Sequence, residues 1–164
     1  MKPEPQILGS KFKLQAVADA LEYRIEDVFS ALRGPRPERR LLIAGAKKTG
    51  HPRDFFELVV IACIVAARSA VKPEHRAQLL AMAHEKLFRS KVRLAIRKRP
   101  VDCKLSILPD SPPRFSKGGW DSLTVDVAAV ALHLHEQLER LAKDPEWLAR
   151  NLIGWVGPAE VSED

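Results

Sequence analysis

The chain has 164 residues, 46% of them hydrophobic, with a formal net charge of +6 and a pI near 9.5. That is room for one domain or two small ones around a substantial core. The two cysteines, Cys63 and Cys103, lie far apart, which excludes a metal clip built on paired cysteines and a secreted disulfide scaffold. Met1-Lys2-Pro3-Glu4-Pro5 has no apolar run behind it, so no signal peptide is expected and a reduced, cytoplasmic setting fits.

The charge is unevenly placed. Up to Trp120 there are 24 Lys and Arg against 12 Asp and Glu; from Asp121 onward there are 3 against 9. A basic body with an acidic end is the electrostatic pattern of a nucleic-acid binder, although the acidic end could equally be a solvated tail.

Residues 1–10 carry two prolines and no periodicity, and are expected to form a flexible arm, with Ser10 capping the first helix. In Leu14 to Gly34, apolar residues fall at Leu14, Val17, Ala18 and Leu21, then at Ile25, Val28 and Leu32, with Tyr23 between the sets. Each set keeps helical spacing. Two short helices with a tight turn are expected: Ala18 allows close crossing, Val28 fills the angle, and Tyr23 plugs the turn. That is the packing logic of a helix-turn-helix. Glu22 occupies the turn position where Gly is frequent, so a single amphipathic helix stopped by Gly34 and Pro35 is the alternative.

Next comes a basic stretch with Arg33, Arg36, Arg39, Arg40, Lys47, Lys48 and Arg53 in it or at its edge, against the single acid Glu38. Pro35, Pro37, Gly45 and Gly50 forbid a continuous helix. Arg40 to Ala44 is expected as one strand of a small hairpin, turned by Ala46 to Gly50. A basic hairpin after a helix-turn-helix has the place of a wing, which grips phosphates beside the groove. The alternative is a surface loop with solvated charges.

A helix is expected from Asp54 to about Ala70. Its sequence FFELVVIACIVAAR is apolar almost all round, so it belongs at the centre of a core. It falls short of the ~20 apolar residues a bilayer span needs, and Glu57 interrupts it. Cys63 reads as a buried small hydrophobe. Pro73 starts another helix, whose apolar face runs through Ala77, Leu79, Leu80, Met82, Ala83, Leu87, Val92 and Leu94. Toward its end come Lys86, Arg89, Lys91, Arg93, Arg97, Lys98 and Arg99, seven cations in fourteen residues. A helix C-terminus favours cations, but fewer than this, so a second phosphate-contacting surface is a further expectation.

A helix-turn-helix, a basic loop, a helix opening His51-Pro52-Arg53-Asp54-Phe55-Phe56-Glu57-Leu58 and a second helix pair follow one another between Lys11 and Leu87. This order resembles the mercury-resistance-regulator (MerR-like) winged-helix proteins, in which a tyrosine-serine-x-x-aspartate stretch opens the third helix. The resemblance implies a winged helix-turn-helix that binds double-stranded DNA, with two subunits pairing through a C-terminal helix. The sequence departs from the pattern at Glu22, and at Glu26 and Asp27, which open the reading helix where Ser, Thr or Arg are common. Acidic side chains can accept from cytosine amino groups, but they repel phosphates.

Val101 to Leu108 alternates apolar and polar residues and predicts a strand. Pro109 to Gly119 reads as a loop, and Ser122 to Val125 as a second strand pairing back. Asp126 is placed to cap a helix from Val127 to about Lys143, with a stripe of Val127, Val130, Ala131, Leu134, Leu138 and Leu141. That helix either pairs two subunits or packs on its own chain. Pro145 is expected to end it. Trp147, Leu148, Leu152, Ile153 and Trp155 suggest a docking anchor, and residues 158–164 an acidic tail.

No phosphate-cradling glycine loop, metal-ligand spacing or catalytic constellation is found. His133 and His135 lie two apart on a helix and cannot share a metal; one semi-buried and one exposed ring are expected. The expected fold is therefore mainly α: an N-terminal winged helix-turn-helix followed by long helices, a small β-hairpin and a C-terminal helix. Its parts are a flexible arm (1–10), the winged unit with its helical extension (11–99), a hairpin-plus-helix dimerisation element (100–157) and an acidic tail (158–164). The expected function is that of a DNA-binding transcriptional regulator acting as a homodimer, without catalytic activity, cofactor, metal or membrane, its effector unassigned. Arg24, Ser30 and Arg33 would approach the groove, and Arg36, Arg39, Arg40, Lys47, Lys48 and Arg53 would hold phosphates. The alternatives are a mobile-element factor that bends DNA for excision, and an adaptor whose helix-turn-helix no longer binds DNA.

Overall fold

The computed structural model describes residues 7–32, 52–67, 71–108, 111–116 and 123–155. In chain order these form a 3-10 turn (Ile7–Gly9), β1 (Ser10–Phe12), α1 (Gln15–Leu21), α2 (Ile25–Ser30), β2 (Arg53–Asp54) and α3 (Phe55–Ala67). Then come α4 (Pro73–Ala81), a 3-10 turn (Met82–His84), α5 (Lys86–Ile96), β3 (Lys104–Leu108), β4 (Ser111–Ser116) and β5 (Leu123–Asp126). The last elements are α6 (Val127–Leu141), α7 (Pro145–Asn151) and β6 (Leu152–Trp155). The architecture is mainly helical, with two small antiparallel sheets of strand order β2-β1-β6 and β4-β3-β5.

The apolar sequence of α3 makes it the centre. Ten of its thirteen residues are buried, which a helix apolar on every side requires. Its start is a reciprocal cap: the Glu57 amide donates to Asp54 Oδ1 at 2.9 Å, and the Asp54 amide to Glu57 Oε1 at 3.4 Å. Cys63 is fully buried, and burial pushes its thiol far above the ordinary value. Cys103, also buried, is raised for the same reason. Neither thiol is activated as a nucleophile.

Order begins before residue 11. Ile7 is buried, and Ser10 lies in a strand instead of capping a helix; Leu14 holds the cap position of α1 without a side-chain bond. The reason is sheet pairing. Lys11 faces Asp54 on one side and Gly154 on the other, which ties both ends of the chain into one sheet. Residues 1–6 and 156–164, which include the acidic tail, fall outside the described residues, as do the side chains of Ile153 and Trp155.

The single helix expected from Pro73 to Arg99 is divided. After Ala81 the chain tightens into the 3-10 turn, and Glu85 is extended (φ −75°, ψ 137°) before α5 starts. The apolar phase explains the break. A straight helix carrying Ala83 inward would also carry Leu87 inward; the break turns Phe88, Val92 and Ala95 to the core and leaves Leu87 67% exposed. Arg89 Nε holds the turn by donating to the Ala83 carbonyl at 3.0 Å. At its other end α5 closes in a Schellman motif: the Lys98 amide donates to Ala95 O at 3.0 Å and the Arg99 amide to Leu94 O at 2.9 Å. Lys98 takes φ 59° there, where a non-glycine residue costs about 1 kcal/mol.

The expected loop from Pro109 to Gly119 contains β4. It pairs with β3 in the register Leu105↔Phe115 and is an edge strand, and Pro112 and Pro113 fall where that register shifts, between Ser106↔Arg114 and Leu108↔Ser111, so no regular ladder pair needs their missing donors. Leu105 also faces Val125 of β5, giving three strands where a hairpin was expected. Phe115 packs on Phe88 of α5, with ring centroids 4.8 Å apart.

Asp126 caps α6 as expected, Oδ1 accepting from the Ala129 amide at 3.2 Å. The Val127, Ala131, Leu134 and Leu138 stripe is fully buried, against neighbours that include α1, α3 and α5. This face is therefore packed within its own chain, not presented to a second copy. Pro145 does more than end α6: it opens α7, where its missing N–H is not needed, and Asp144 Oδ1 accepts from the Glu146 amide at 3.0 Å. Trp147 anchors α7 to the N-terminal elements. It is buried, its ring lies 6.4 Å from Phe12, and its Nε1 donates to Asp19 Oδ2 at 2.7 Å.

His133 is exposed. His135 is half-buried, edge-on to Phe55 at 5.6 Å and 3.1 Å from Glu139. Two consequences are measurable. Trp147→Phe keeps the ring but deletes the donor to a carboxylate, and should lower unfolding free energy by about 2 kcal/mol in a urea titration. Burial lowers the His135 pKa below its ordinary 6.5, with Glu139 opposing. Below 6.5 the unfolded chain takes up this proton more readily than the folded one. Stability should therefore be unaffected by His135 above 6.5 and fall as pH drops below it, a loss that His135→Leu should reduce in urea titrations across pH.

Candidate nucleic-acid interface

Leu14 to Leu32 is two helices and not one rod. α1 buries Ala16, Val17, Ala18 and Ala20, and ends where Glu22 takes the left-handed conformation (φ 59°, ψ 37°). The Tyr23 amide then donates to Ala18 O at 3.0 Å, and Arg24 is extended before α2 begins. Glutamate thus occupies a conformation that glycine adopts more easily, without preventing the turn. Val28 is the one buried residue within α2, and Ala31 and Leu32 behind it are buried too. The result is a short helix braced on one side, with Arg24, Glu26, Asp27 and Ser30 exposed.

Arg24 has no capping oxygen to offer α2, and Glu26 and Asp27 in the first turn compensate by facing the positive end of the helix. Arg24 Nε lies 3.8 Å from Glu26 Oε2 with both side chains mostly exposed, a contact of little energy. The other end of α2 is held from a distance. Arg76 of α4 donates through Nη1 to Ser30 O at 2.6 Å and through Nη2 to Val71 O at 3.3 Å. A cation on the last carbonyls of a helix is favourable. Burial lowers the Arg76 pKa, with Glu74 opposing. Tyr23, Asp27, Ser30, Ile64 and Arg76 line a groove of about 520 Å³ beside this contact.

Of the expected site residues, Arg24 and Ser30 are exposed on or beside α2. Arg33, Arg36, Arg39, Arg40, Lys47 and Lys48, and with them the expected wing, lie outside the described residues. Arg53 is not a surface residue and cannot hold a phosphate. It is 1% exposed, its backbone pairs with Phe12, and its Nη1 donates to Glu57 Oε2 at 2.9 Å. The reason is its register in β2, next to a core helix that supplies a carboxylate four residues on.

Arg53 belongs to a charged cluster at the mouth of α3 that sequence spacing only half announced. Arg89 Nη2 donates to Asp54 Oδ2 at 2.8 Å, and His84 Nε2 lies 3.9 Å from Glu57. The Arg89 and Arg93 guanidinium carbons lie 4.5 and 5.2 Å from the Phe56 ring centre. Two sequence signals point to this cluster and were not read: Asp54-x-x-Glu57 has the spacing of a capping box, and Arg53 with Glu57 that of a helical pair. The partnership of Asp54 with Arg89, thirty-five residues on, has no such signal.

No group of three or more His, Cys, Asp or Glu among the described residues could hold a metal ion, and no helix among them is long and apolar enough to cross a membrane. No family model, curated protein or solved structure matches the chain.

Removing one partner of a buried ion pair strands the other. Arg53→Ala should therefore lower unfolding free energy by about 3 kcal/mol, read by denaturant titration, and leave any contact made by α2 unchanged in the molecules that remain folded.

Proposed function

We propose that this chain binds double-stranded DNA through the α1–α2 pair, as a winged helix-turn-helix regulator of the kind its element order resembles. The observation that carries the reading is the geometry of the pair: a buried brace, a left-handed turn at Glu22, and a second helix whose outward side is solvent-facing. Arg24 and Ser30 would face the groove. Arg33, Arg36, Arg39, Arg40, Lys47 and Lys48 would hold phosphates from the following stretch, and the basic surplus up to Trp120 supports that assignment. Arg53 is withdrawn from the set. Two copies on adjacent half-sites would suit a helix of this type, and their contact must use a surface other than the buried stripe of α6.

A second reading is favoured by one observation. Glu26 and Asp27 are exposed at the start of α2, and Arg24 leans on Glu26 instead of standing clear. Such a helix suits a basic protein partner, the adaptor reading. The two part on salt and on sequence. A binder making six phosphate contacts should lose about 10³ in affinity for genomic duplex fragments between 50 and 200 mM salt. Replacing Ser30 with Ala should change the preference among fragments more than the salt slope. No duplex binding at low salt would remove the DNA reading and leave the adaptor.

A further inference from the structure

The cations of α5 divide into two sets. Arg89 is held by Asp54, and Arg93 lies over Phe56; both look inward and hold the fold. Lys91 is half-buried and donates through Nζ to the Asp102 carbonyl at 3.5 Å. Lys86, the first residue of α5, and Lys98 and Arg99, just past its end, are exposed. No Asp or Glu occurs between Lys86 and Val101.

Helix chemistry does not account for where these cations stand. The macrodipole favours cations in the last turn and disfavours them in the first. Lys86 is the first residue of α5, and its first turn has no acid. Lys98 occupies the left-handed position of the Schellman motif, which glycine fills without strain. At both places the fold's own preference runs against the residue found. At 1.5 Å per residue, the rise of α5 sets Lys86 about 15 Å from the end that carries Lys98 and Arg99, enough to meet separate phosphates of one strand and too long for a single small anion.

Leu87 and Leu94 of α5 are exposed, 67% and 39%. An anionic membrane surface would need a continuous apolar face to insert. Phe88, Val92 and Ala95 of α5 are committed to the core, and two leucines a heptad apart do not form such a face. Charge is what this surface offers, and a polyanion is what complements it.

We propose that the exposed cations at the two ends of α5 form a second phosphate-contacting surface. Lys86, Lys98 and Arg99 hold the backbone of duplex DNA apart from the segment that α2 reads. This rests on the DNA-binding reading above and adds a site that the helix pair alone does not supply.

The test compares wild type, Lys98→Gly and a Lys86→Gln/Arg99→Gln double variant on the same genomic duplex fragments over a salt series. Glycine suits the left-handed position, so Lys98→Gly should melt about 2 °C higher while its log–log salt slope falls by about 1. The double variant should lose about 2 in slope, with affinity reduced alike for every fragment. Unchanged slopes in both variants, with wild type still binding duplex, would overturn the second surface and leave the helix-pair reading intact. Wild type that fails to bind duplex would overturn both. Binding to phosphatidylserine vesicles in place of duplex, abolished by Leu87→Ser, would overturn the proposal in favour of a membrane surface.

Discussion

Everything in this molecule depends on covering α3 on every side. A helix whose ten buried positions run all the way round cannot use one face for the core and another for water. Each fully buried large apolar side chain contributes about 1.5–3 kcal/mol relative to exposure, so neighbours must be recruited from the whole chain. The N-terminal strand, α2, α4, β5 and α6 all contact it. This demand draws the C-terminal third onto the N-terminal helices, with Trp147 bonded to Asp19 and β6 zipped to β1.

At the entrance to α3, charge meets that apolar centre. Arg53 and Glu57 are paired at the helix start, and Asp54 divides its carboxylate between the Glu57 amide and Arg89. A pair of this kind adds little net stability but is damaging to break. Arg89, donating to Asp54, ties α5 to the start of α3. Arg89, Arg93, Phe88 and Val92 are committed inward and Lys91 bonds the Asp102 carbonyl, while Lys86 at the first position of α5 is exposed. The same packing that builds the core therefore sorts one run of cations into a structural set and a solvent-facing set.

Periodicity made several features legible in advance. The apolar run from Phe55 announced a central helix, Asp126 announced the start of α6, and the two apolar sets around Tyr23 announced a helix pair with Glu22 at the turn. What failed to show depends on partners distant in sequence. Arg53 reads as one more cation of a basic stretch until Glu57 and the β1 pairing enclose it. The break at Glu85 looks unnecessary until Phe88 must reach the core. Pro112 and Pro113 argue against a strand until their place on a sheet edge is known. Pro145 is ambiguous, because a proline that stops one helix is also well suited to start the next.

The central claim is that exposed cations of this chain, and not its acidic end, lie against a polyanion. Lysine acetylation footprinting measures this directly. With duplex DNA bound, Lys86 and Lys98 should be protected from the reagent, while Lys143, beyond the end of α6, stays as reactive as in the free protein. Equal reactivity of all three with and without duplex, or protection confined to Lys143, would contradict the account.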